Sequence, residues 1–188
     1  MANKSKKQHI LKIASDLFIK QGIRATGVDQ VVSESQIAKM TLYNHFHSKD
    51  DLVLAYLTKQ DEEWRKWFED SVNDRGKTPS EKLLIIFDVL EEWFNEPAFN
   101  GCAFIKTASE FTDHSHPYYM AARQYKLFMR DYLAFLSEQS HASDPNALTN
   151  ALYLLVEGAI TSAMLKTDPE PALHAKETAK IILERYIK

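Results

Sequence analysis

Apolar residues recur at helical spacing almost throughout this chain, and no segment sustains the period-two alternation of a half-buried strand. That pattern confines the fold to the all-α class. Ile10, Ile13, Ala14, Leu17 and Phe18 lie on one helical stripe that Gly22 is placed to end. Ser48 caps a long helix carrying Val53, Tyr56, Leu57, Trp64, Trp67 and Phe68 and closing near Gly76. Another helix opens at Ser80, after Pro79, and carries Leu83, Ile86, Phe87, Leu90 and Phe94. A short one spans Cys102 to Phe111, and a longer one starts at Pro117 and runs through Leu136. Asp144-Pro145 is a cap with proline at the first helical position, opening a helix to about Lys166. The last helix fits Pro171 to Ile187. With two shorter units described next, the expected total is about nine.

Between Gly22 and Ser48 the spacing shortens to two units of about two turns each. Val28 to Ser35 places Val28, Val31 and Val32 inward, and Ala38 to Phe46 places Leu42 and Phe46 inward at i, i+4. Two short helices joined by a tight turn and packed on a longer one form a helix-turn-helix unit. The outward side of the second short helix then presents Lys39, Thr41, Tyr43, Asn44 and His45, donors and acceptors suited to phosphate oxygens and to base edges in a major groove. Lys49 follows at the start of the next helix, where backbone N–H groups also favour an anion.

Charge points the same way. Residues 1–50 hold eight basic against four acidic residues, a net +4, so the overall charge of −3 leaves −7 on the other 138. A basic head on an acidic body fits a head that meets a polyanion. The chain's 188 residues suffice for one large domain or two small ones. The longest uncharged stretch, Pro145 to Val156, is far short of the roughly 20 apolar residues that a bilayer span needs. The first residues are polar and basic rather than signal-like, so the expected location is the cytoplasm, with no membrane partner. Five glycines and one cysteine leave little material for phosphate loops or cysteine-rich metal sites.

The runs Thr26-Gly27-Val28-Asp29-Gln30-Val31-Val32, Lys39-Met40-Thr41-Leu42-Tyr43-Asn44-His45-Phe46 and Ser48-Lys49-Asp50-Asp51-Leu52 resemble the N-terminal domain of the tetracycline-repressor (TetR) family. The family string Thr-Leu-Tyr-x-His-Phe-x-Ser-Lys is matched at Thr41, Leu42, Tyr43, His45, Phe46, Ser48 and Lys49, and the resemblance covers residues 8–57. It implies a helix-turn-helix DNA-binding domain over residues 1–48 and a larger helical effector-binding and dimerisation domain over 49–188. By the resemblance, Thr26, Tyr43, His45 and Lys49 hold phosphates, while Lys39, Thr41 and Asn44 read bases. It further implies a homodimer on a near-palindromic double-stranded operator, released by a small-molecule effector, hence a repressor. The turn departs from the family's Ala-Gly-Val-Ser, reading Ser35-Gln36-Ile37-Ala38. Gln36 takes the place of a glycine at a positive-φ position, Ala38 lacks a capping hydroxyl, and Met40 replaces a small residue.

In the acidic body, Asn146 to Lys166 is apolar nearly all round, and Leu152, Leu155, Gly158, Ala159 and Ser162 suit close helix–helix contact across a dimer. Fifteen aromatic residues between positions 60 and 135 suggest a lined cavity. Trp67, Phe87, Phe104, Phe111, Tyr125 and Phe128 are candidate walls, and Glu110 and His114 candidate polar contacts for an unidentified effector. Two other readings stand beside this one. Asp113-His114-Ser115-His116 with Glu110 has a metal-like composition, yet its histidines share no helix face, and no metal or cofactor is expected. Cys102 fits a buried small hydrophobe better than a nucleophile, and no catalytic arrangement is evident. A helical interaction protein that does not read DNA would bind duplexes without regard to sequence.

Overall fold

The computed structural model describes residues 2–187, with side chains from Ser5 to Ile187. Among the described residues it holds nine helices and no strand: α1 (Ala2–Gln21), α2 (Val28–Ser35), α3 (Lys39–His45), α4 (Lys49–Arg75), α5 (Pro79–Asn95), α6 (Ala103–Glu110), α7 (Pro117–Gln139), α8 (Pro145–Leu165) and α9 (Pro171–Tyr186).

The boundaries follow from local chemistry. Gly22 ends α1 at φ +92°, a left-handed conformation that costs glycine little. The Ser48 hydroxyl accepts the Asp51 N–H at 3.0 Å and starts α4. Helix α5 begins one residue earlier than Ser80. Thr78 is its cap, Pro79 its first residue, and Thr78 with Glu81 completes a reciprocal capping box. Asp144 caps α8 through the Ala147 N–H at 3.0 Å.

Packing divides the chain into two compact units, Met1–Glu63 with Ala103–Gln124, and Trp64–Cys102 with Tyr125–Lys188. The 48/49 division marks where the motif ends; packing instead groups the first half of α4, α6 and the start of α7 with the helix-turn-helix. The first unit is built on Ile10, Ala14, Phe18, Ile23, Val31, Leu42, Phe46, Leu52, Val53 and Tyr56, all buried. In α2 the buried pair is Val31 and Ser35 at i, i+4, whereas Val28 and Val32 are only half covered.

In the second unit α5, α8 and α9 pack on one another around Leu83, Ile86, Leu90, Leu148, Leu152, Val156, Ala179 and Leu183. By length and composition α8 could cross a membrane, with mean hydropathy 1.3, but a third of that window is already buried by the protein's own side chains. Its Glu157 carboxylate pairs with the Lys126 ammonium at 2.9 Å.

Candidate nucleic-acid interface

Helix α3 is pinned from behind. Leu42 is fully buried and Phe46 nearly so, and the α1 lysine Lys7 stands over the Phe46 ring at 5.3 Å. This orientation turns Lys39, Tyr43 and Asn44 to solvent, with Thr41 and His45 half-exposed beside them. Met40, 71% exposed, stands among them as a large apolar side chain that composition alone does not mark as a contact residue. The Lys39 ammonium meets the Asp29 carboxylate of α2 at 2.7 Å, and this partner raises the lysine's pKa.

The turn ahead of α3 carries the strain that its sequence implies. Gln36 sits at φ 53°, ψ 41°, with its N–H on the Ser33 and Val32 carbonyls, and Ala38 caps α3 without a side-chain bond. A left-handed conformation costs a non-glycine residue roughly 1 kcal/mol. Gln36→Gly is therefore expected to stabilise the chain by about 0.5–1 kcal/mol, measured as a higher urea midpoint at unchanged slope; a lower midpoint would show that the Gln36 side chain contributes more than its backbone costs.

Two residues expected at the phosphates have other work. Thr26 is fully buried, its hydroxyl donating to the Gly22 carbonyl at 2.8 Å and accepting from the Gln21 amide at 3.1 Å. In this state its side chain holds the loop ahead of α2. The half-exposed Lys49 donates its ammonium to the Ile23 carbonyl at 2.8 Å, so in this state it too holds the loop. That loop is gripped from a third side: Glu110 at the end of α6 accepts the Ile23 N–H at 3.1 Å and the Arg24 N–H at 2.8 Å. The Arg24 guanidinium lies over the Phe111 ring at 5.0 Å. Phe111 packs edge-on against Tyr118, whose hydroxyl donates to Asp50 at 2.5 Å. Burial, with Asp50 adding, holds the Tyr118 phenol far above its usual pKa, so it remains a donor.

These contacts involve residues expected to face an effector. Glu110 is not a free polar contact, since both its oxygens are bonded to backbone amides. Phe104, Glu110, Phe111 and His114 fall in the first unit, whereas Trp67, Phe87, Tyr125 and Phe128 fall in the second. His114 is exposed and stacked on Tyr119. Asp113 bonds Ser115, and the His116 ring accepts the Tyr118 N–H, so this run builds the turn into α7.

In the second unit the aromatics cluster around Trp64, which stacks on Phe68 at 4.6 Å and meets the edges of Trp67, Trp93 and Tyr125. Phe68 also touches Tyr132, Phe128 carries the Arg65 guanidinium at 4.1 Å, and Phe87 is buried. Two buried polar atoms in this cluster, the Trp64 indole N–H and the Tyr132 hydroxyl, have no hydrogen-bond partner among the described residues. Burial, with Glu69 adding, pushes the Tyr132 phenol up to about 12. Sequence spacing marks neither residue out from the other aromatics.

The residues expected at a dimer face differ in their exposure in the single chain. Leu152 and Ala159 are buried in the unit's own core, while Leu155 and Ser162 are half-buried. The outward stripe of α8 consists of Leu154 (70% exposed), Gly158, Thr161 and Leu165 (65%), and Ile181 on α9 is likewise 70% exposed. A side chain added at Gly158 would meet open space.

Comparison with known proteins bears on this architecture. Residues 10–56 match the family described as bacterial regulatory proteins, tetR family, and residues 79–179, more than half of the chain, match the tetracyclin repressor-like C-terminal domain. The chain belongs to the TetR family. It is 24% identical over 180 residues to the HTH-type transcriptional regulator YjdC of Escherichia coli, covering 94% of this chain and 93% of that one. Over 80 residues, 42% of each chain, it is 35% identical to the Staphylococcus aureus regulator QacR. The solved structure of a TetR-family transcriptional regulator from Streptomyces coelicolor superposes with a TM-score of 0.89 at 27% identity, over 98% of this chain and 97% of that one. TetR membership makes α1–α3 the DNA-binding helix-turn-helix of a transcriptional regulator and places α8 within the family's helical C-terminal domain.

Proposed function

We propose that this TetR-family regulator is a cytoplasmic repressor that binds a near-palindromic operator as a homodimer and leaves it when a small molecule occupies the helical domain. The observation that carries the DNA half is the exposed face of α3, polar but for Met40 and held rigid by buried Leu42 and Phe46. On it Tyr43 and His45 are assigned to phosphates, while Lys39, Thr41 and Asn44 are assigned to base edges; Met40 offers an apolar contact for a thymine methyl. Lys49 reaches a phosphate only by releasing the Ile23 carbonyl. One such module makes few base contacts, so specificity comes from two copies on half-sites about 34 Å or somewhat more apart.

The dimer reading rests on the α8–α9 face. Leu154, Leu165 and Ile181 are large apolar side chains left outside the core, and Gly158 gives a second helix room to approach. The effector reading rests on the aromatic cluster of the second unit. Its two unpaired buried groups are both donors at neutral pH, so a flat molecule carrying acceptors would satisfy them.

Selection of sites from random duplex DNA, followed by titration at fixed salt, tests the DNA assignments. Tyr43→Ala is expected to weaken binding about 10-fold on every sequence, whereas Asn44→Ala alters preference at one position in each half-site by about 1–3 kcal/mol. Unchanged affinity and motif in both variants would remove α3 as the reading face. Failure of the native protein to enrich any motif would favour the interaction-protein reading.

A further inference from the structure

Resting on that DNA-binding reading, we propose that Asp29 and Lys39 act together to read one G·C pair in each half-site, the ammonium on guanine O6 and N7 and the carboxylate on the cytosine amino group. Asp29 lies in the first turn of α2 and Lys39 is the first residue of α3. Their side chains meet at 2.7 Å although both are exposed, at 81% and 56%. A free lysine is a flexible point charge that settles on whichever phosphate is nearest. Beside Asp29, Lys39 reaches a phosphate either by giving up this ion pair or by bringing the carboxylate toward the same polyanion, so the phosphate contact gains less than a free lysine's would.

The major-groove edge of a G·C pair removes this conflict. It sets two acceptors of guanine beside the amino donor of cytosine, and lysine to guanine and aspartate to cytosine are each favoured pairings. An ammonium and a carboxylate already side by side therefore match that edge in charge and in order. Asp29 becomes a specificity-determining residue carried by α2, the helix ahead of the reading helix. It also disfavours binding to arbitrary duplex, where only phosphates are on offer.

Site selection with the native chain, Asp29→Asn and Lys39→Gln tests this, followed by titration of each protein on the winning duplex, on duplexes altered at single symmetric positions, and on random duplex. The expected native motif contains one symmetric G·C position at which both variants lose discrimination by roughly 5- to 100-fold, with the other positions retained. Asp29→Asn is also expected to bind random duplex several-fold more tightly, whereas Lys39→Gln binds it more weakly. Because both side chains are exposed, thermal melts of the variants should match that of the native chain, which separates this effect from misfolding.

If Asp29→Asn enriches the native motif with native discrimination, the pair is only a surface ion pair and the proposal falls. It falls equally if the position sensitive to Lys39 is an A·T pair. A native chain that enriches no motif overturns the DNA-regulator reading itself, and this proposal with it.

Discussion

Replacing Glu110 with alanine is expected to lower the unfolding free energy by about 2–3 kcal/mol and the melting temperature by roughly 5–10 °C. The residue looks like an ordinary acidic position at a helix end, yet it accepts the N–H groups of Ile23 and Arg24, 87 and 86 residues away in sequence. Ile23 is buried, so truncation leaves its amide without a partner, and an unsatisfied buried donor costs more than an average hydrogen bond contributes. Gly22 belongs to the same device. It adopts φ +92°, and a Cβ placed there would stand 2.9 Å from a Glu110 oxygen. Gly22→Ala should therefore cost about 2 kcal/mol in the native chain, part backbone strain and part collision. In a Glu110→Ala background only the strain remains, so the two changes should fall short of additivity by about 1 kcal/mol. Differential scanning calorimetry of the four proteins reads this directly. Full additivity would mean that the carboxylate and the loop do not act on one another.

The other large effect is expected at the α8–α9 face. If the proposed dimer forms through this face, Leu154→Asp should convert it to a monomer in sedimentation velocity and weaken binding to the selected duplex roughly 100-fold or more, because a two-fold interface repeats the charge on both sides. The side chain is 70% exposed in the single chain, so the monomer's own melt should barely move, whereas the same change at Leu152, fully buried, should unfold it. A Leu154→Asp protein that still sediments as a dimer would place the subunit contact elsewhere.

Where the sequence was legible and where it was not has a physical pattern. Helices with one apolar stripe and explicit ends were readable to within a residue or two. Asp144-Pro145 opened α8, Gly22 closed α1, and the left-handed Gln36 followed from the position of a missing glycine. The Thr-Leu-Tyr-x-His-Phe motif gave the orientation of α3, because its two apolar residues fix which way the others point. Helix α8 defeated the same logic. With apolar residues on every side, periodicity cannot say which of Leu152 and Leu154, about 200° apart around a helix, meets the core. The contacts of Thr26 and Glu110 escape a sequence reading for a different reason. Their partners are backbone groups of a loop, and no side-chain pattern announces a carbonyl or an amide in need.

The aromatic cluster of the second unit has a practical corollary. All three tryptophans of the chain, Trp64, Trp67 and Trp93, sit in it, and the helix-turn-helix has none. Indole emission excited at its red edge therefore reports on the C-terminal chemistry alone, while Tyr43, the tyrosine proposed to contact DNA, stays dark. One optical titration can thus separate a compound that lodges among the aromatic rings from one that merely displaces the duplex.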